Sequence, residues 1–96
     1  MLPSSIRTLV AEVFTETREG RLVWMFDSNA DLVIANYKGM QIHLDYKFDY
    51  NMEYGVYRLL INANNKEYYF TESMYDSDYD WLKKLHYEAQ GSDFSF

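Results

Sequence analysis

The sequence predicts an α+β fold over residues 1–96, a single domain in two layers: an N-terminal helix, a four- to five-stranded antiparallel meander and a C-terminal helix. Three observations carry this expectation. Residues 40–51, MQIHLDYKFDYN, alternate apolar and polar, as a strand does when one face is covered and the other is wet. Segments near both ends instead space their apolar residues by three and four, which is helical. The segments between are joined by short turn-rich stretches, and connections of a few residues require antiparallel neighbours.

The first helix is expected over 5–19, with Ile6, Leu9, Val10, Val13 and Phe14 on one face, Pro3, Ser4 and Ser5 at its start and Gly20 at its end. Arg7, Glu12, Glu16 and Arg18 fall on its solvated side. RLVWMFD at 21–27 reads as a strand covered on both sides, with Trp24 anchoring the core. Further strands are expected at 31–37, 40–50, 54–62 and 66–72, the last two separated by the turn residues 62–65. Ser77 followed by Asp80 resembles a capping box that opens a second helix over 78–90. Trp81, Leu82, Leu85 and Ala89 form its buried stripe and Gly91 stops it, leaving residues 91–96 as a mobile tail. That tail ends in Phe94 and Phe96, a short docking peptide if it does not fold back.

Composition narrows the function classes. No apolar run approaches the ~18 residues that cross a bilayer, and MLPSSIRTLV lacks a basic leader, so no membrane partner and a cytoplasmic location are expected. The absence of cysteine excludes disulfides, thiolate metal sites and thiol nucleophiles. A net charge of −6 argues against direct nucleic-acid binding, whose affinity comes mostly from Lys and Arg, and favours a basic protein surface as partner. Ten tyrosines are more than so small a core can hide, so several must reach the surface. The acidity is uneven, because Glu72, Asp76, Asp78, Asp80, Glu88 and Asp93 outweigh Lys83 and Lys84 in the last quarter.

Chemistry-bearing patterns are sparse. His43 and Asp45 share the outward face of the third strand and form the one drawable ligand or general-base pair, while His86 borders the core too far away to complete a metal site. The serines fall at caps, turns and the tail, and the four glycines form no phosphate loop, so no catalytic residue, metal or cofactor is expected. The segment ESMYDSDYDW at 72–81 is the most informative surface. Its acids suit a helix start, but Tyr75 and Tyr79 among Glu72, Asp76, Asp78 and Asp80 make a tyrosine-and-carboxylate epitope for a cationic protein surface. An aromatic edge strand at 66–72 is also open to pairing with a second copy.

Two resemblances add to this reading. Thr17, Gly20, Leu22 and Trp24, then Tyr37, Gly39 and Ile42, then Tyr57, Leu59 and Ile61, and finally Leu82, Leu85, Tyr87 and Ala89 resemble the pattern of a group of small bacterial and phage α+β proteins. That likeness spans most of the chain and implies the fold without a catalytic site or ligand. LLINANNKEYYFTES at 59–73 is similar to a hairpin in small acidic anti-CRISPR inhibitors of type II effector nucleases. It implies Glu72, Asp76, Asp78 and Asp80 as mimics of DNA phosphates on a nuclease. The expectation is therefore a non-enzymatic acidic binding protein acting as an inhibitor, immunity or accessory factor. The alternatives are a DNA mimic and a small-molecule binder near His43.

Overall fold

The computed structural model describes residues 1–95, in the order α1 (Ser4–Arg18), β1 (Met25–Asp27), β2 (Leu32–Tyr37), β3 (Met40–Asp49), β4 (Tyr54–Ala63), β5 (Lys66–Ser73) and α2 (Tyr79–Gln90). The five strands form one open antiparallel sheet in sequence order. Phe96, half of the expected docking tail, lies outside the described residues.

Turn chemistry sets the register. Lys38 and Gly39 both take positive φ, as do Asn64 and Asn65, so β2–β3 and β4–β5 close through two-residue loops whose twist matches the strands. The β3–β4 tip is held by Asp49, whose Oδ1 accepts the backbone N–H of Asn51 and Met52 and whose carbonyl accepts that of Glu53 at 2.7 Å. Alternation then sorts the faces. Val33, Ala35, Ile42, Leu44, Tyr57, Leu59 and Ile61 point inward and are buried with Val10, Val13, Leu82, Leu85 and Ala89 of the two helices.

Several boundaries differ from expectation for identifiable reasons. Pairing begins at Met25 rather than Arg21, and the N–H groups of Arg21, Leu22 and Trp24 are spent elsewhere. Gly20, at φ +80°, closes α1 in a Schellman arrangement in which Gly20 N–H bonds Thr17 O and the N–H groups of Arg21 and Leu22 bond Glu16 O. Trp24 N–H is taken by Ser92 Oγ at 2.7 Å. The segment is also covered on one side only: Leu22 and Trp24 are buried while Val23 and Met25 are exposed. Trp24 does anchor the core, its indole N–H donating to Thr17 Oγ1 at 2.8 Å.

Neither helix uses the expected caps. The residue before α1 is Pro3 and that before α2 is Asp78, with no side-chain cap bond at either, so the Ser77–Asp80 box does not form. Asp78 is turned inward instead, accepting Leu2 N–H at 2.7 Å. Trp81 leaves the buried stripe of α2, lies edge-on to Phe14 of α1, and yields its place in the interior to His86. Helix α2 ends at Gln90 with Gly91 following, as expected. Ser92 is anchored rather than loose, since its hydroxyl donates to Ala89 O while accepting Trp24 N–H.

Candidate interface at the β3–β4 tip

Strand lengths create the site. β2 pairs with β3 only as far as Leu32 opposite Asp45, whereas β3 and β4 continue together to Asp49 opposite Tyr54. The β3–β4 hairpin therefore overhangs the rest of the sheet, and the inward alternation of β3 runs past the cover available to it. Phe48 is partly uncovered and Tyr50 is 85% exposed.

The chain leaving β5 returns to the same end, because Ser73 pairs opposite Val56 and Met74 N–H bonds Gly55 O at 3.2 Å. Tyr75 then meets Tyr54 edge-on with ring centroids 5.7 Å apart, as Phe48 meets Tyr50 at 5.0 Å. Tyr75 is 76%, Met52 61% and Met74 50% exposed. One end of the molecule thus carries exposed Phe48, Tyr50, Met52, Met74 and Tyr75 with half-buried Tyr54, the Phe48–Tyr50 pair on the inward side of the hairpin and the Tyr54–Tyr75 pair on its outward side, rigid aromatics along with adaptable methionines.

Charge surrounds this patch. Asp49, Glu53 and Asp76 sit in it, and Asp80 follows in the first turn of α2. Asp76 accepts the Ser73 backbone N–H at 2.7 Å, a bond that holds its carboxyl below the usual carboxylate range. Lys47 sits opposite Val56 near this end, Lys83 and Lys84 line a depression with Asp80, and the Met1 ammonium is drawn onto Glu72 at 3.1 Å.

The six residues expected to form the epitope divide. Tyr75, Asp76 and Asp80 are exposed, and Tyr79 is half-buried against Tyr57. Glu72 and Asp78 are not surface groups at all, at 1% and 2% exposure. Both tether the N-terminal segment: Glu72 binds the Met1 ammonium, and Asp78 accepts Leu2 N–H and pairs with Arg7. Burial pushes the Glu72 carboxyl above its ordinary value, against the pull of the ammonium. The four-carboxylate row implied by the anti-CRISPR likeness consequently keeps two outward members.

The outward face near His43 holds no convergent ligand set. His43 Nε2 is hydrogen-bonded to Gln41 Oε1 at 2.8 Å, and Asp45 is engaged by Arg58 through a two-bonded ion pair, one bond of 2.8 Å from Nε. Leu32, Leu60 and Tyr69 complete a shallow depression of about 300 Å³ around them. His86 is a structural residue. The Asp31 carbonyl can only accept, so Nε2 carries the hydrogen of that 2.6 Å bond and Gln90 donates to Nδ1. Among the described residues no group of three His, Cys, Asp or Glu could hold a metal ion, and no helix is long and apolar enough to cross a membrane.

Phe48, Tyr50, Met52, Tyr54, Asp49 and Glu53 were not expected in a site. Their signal was the alternation of 40–51 continuing beyond the reach of the shorter preceding strand. No protein-family model, curated protein or solved structure matches the chain.

Proposed function

We propose that this protein is a non-enzymatic acidic binding protein of the cytoplasm that occupies a basic surface of another protein, as an inhibitor, immunity or accessory factor, with the β3–β4 tip as its contact. The observation that supports this most is the exposed aromatic and methionine cluster at the tip, set among Asp49, Glu53, Asp76 and Asp80. Aromatic area there supplies short-range affinity, and the carboxylates steer a cationic partner and raise its association rate. Because Glu72 and Asp78 are interior, the proposed epitope centres on the hairpin tip rather than on residues 72–81.

Quantitative capture from the native host tests the reading with three baits: wild type, a tip variant carrying Tyr50→Ala, Glu53→Lys and Tyr75→Ala, and a control carrying Lys83→Ala and Tyr87→Ala on the outer face of α2. These positions are all exposed. The expected result is a basic protein retained by wild type and control and lost by the tip variant, with unchanged thermal midpoints. Equal retention by the tip variant overturns the assignment. Added duplex DNA separates the DNA-mimic form, which requires competition for the partner, from the general one.

A further inference from the structure

Both helices cover the same side of the sheet, and among the described residues no helix covers the opposite side. Its central row runs across all five strands as Met25, Ile34, His43, Leu60 and Tyr69, each directly paired with the next. Met25 is 66% and Tyr69 58% exposed, and Val23, two residues before Met25, is also exposed. The adjacent row is Asp27, Leu32, Asp45, Arg58 and Thr71, in which Arg58 and Asp45 satisfy each other. The alternation of β3 alone suggests a polar face, but β2 and β4 fill the positions beside His43 with Ile34 and Leu60.

We propose that this outer sheet face is the interface of a homodimer, two sheets packed face to face. Charge argues for a second copy. The chain carries −6, so copies repel over most of their surface. The two central rows are the exception, holding Asp27 beside one internally neutralised pair. A basic partner finds little to bind here, whereas an identical face meets it with matching apolar area and no unpaired charge at its centre. Size is compatible as well. With the flanking rows Asn36–Gln41–Asn62–Glu67 and Lys47–Val56–Ser73, which place Glu67 and Lys47 at the rim, the face has seventeen outward positions. At strand spacing of about 4.8 Å and same-face spacing of ~6.8 Å they cover roughly 550 Å² per copy, just above the ~1,000 Å² total expected of a specific interface. Aligned packing of two twisted sheets is a standard way to bury such faces.

Sedimentation equilibrium of the full chain from micromolar concentration to about 1 mM tests the proposal. The expected result is a species of twice the 11.5 kDa chain mass, with a thermal midpoint that rises with concentration. Met25→Glu combined with Tyr69→Glu, both at exposed positions, raises the dissociation constant at least ~100-fold while preserving the far-UV spectrum, because each new carboxylate is forced into the contact. The tip variant Tyr50→Ala with Tyr75→Ala remains dimeric. A wild-type monomer throughout the range overturns the proposal. So does a dimer that survives the two glutamates, whether it forms through the β5 edge or elsewhere.

Discussion

At the scale of single residues, two side chains show how tightly the tip end is built. Gly55 is buried opposite Phe48, and a Cβ added there would lie 2.7 Å from Tyr46 Cε2 and collide with the Tyr46 hydroxyl. The tyrosine ring occupies the space that a side chain would need, packing at 5.0 Å on Tyr57, whose own hydroxyl is pushed by burial to a pKa of about 12. Gly55→Ala should cost about 1–3 kcal/mol in urea unfolding, and most of that loss should vanish in a Tyr46→Val background. Glu72 gives a pH test. Its carboxyl lies above the ordinary value of 4.5, first because of burial and then because of Asp76, opposed by the Met1 ammonium. The folded state therefore holds this proton more tightly than the unfolded chain does. The corresponding stability is fully present below pH 4.5 and is lost as pH rises through the elevated folded value. Glu72→Gln should remove that downward slope from the stability profile between acid and neutral pH, and a variant retaining it would contradict the assignment.

Elements are tied together by a few polar groups within an apolar interior. Thr17 donates to Val13 O at 2.6 Å and accepts the Trp24 indole N–H, so one hydroxyl joins the end of α1 to the segment before β1. Thr17→Val keeps the shape and strands the indole N–H, which should lower stability by about 1–3 kcal/mol in denaturant unfolding. His86 does the same for α2, bonding the Asp31 carbonyl in the turn before β2, and His86→Leu should cost a similar ~1–3 kcal/mol. Secondary structure was legible at this scale because it follows from local periodicity and turn residues. MQIHLDYKFDYN, Asn64–Asn65 and Gly20 each carry their own geometry. What sequence could not carry is where donors are spent. The strand starts at Met25 rather than Arg21 where Glu16 and Ser92 have claimed the N–H groups of Arg21, Leu22 and Trp24, and Ser92 lies 68 positions away from Trp24. The helix starts fell within one residue of expectation, but the cap of α2 differs for the same kind of reason, since Asp78 met Leu2 and Arg7 rather than its own first turn.

For the whole molecule, unequal strand lengths and helices confined to one side leave two uncovered regions of different character. The hairpin end is aromatic, methionine-rich and acidic; the outer sheet face is apolar with its central charges paired. The exposure of three of the six expected residues was legible in the sequence, because Tyr75 and Asp76 lie in the loop before α2, where exposure is the rule, and Asp80 lies on the outer side of its first turn. Glu72 and Asp78 were misplaced because composition reports charge without direction, and only the long-range meeting with the N-terminal segment turns them inward. Charge reversal at Asp78 consequently tests folding, and it should lower the thermal midpoint sharply by leaving Arg7 opposite a cation. Reversal at exposed Asp80 should leave the midpoint nearly unchanged. The two central rows of the outer face and the tip share no residue, and Asp49 with Tyr54 continues the outward face beyond the pair Lys47–Val56. Hydrogen–deuterium exchange of the protein with and without its captured partner addresses the central assignment most directly. The account predicts slowed exchange over residues 48–55 and 74–80, and protection confined to α2 or to the outer sheet face would contradict it.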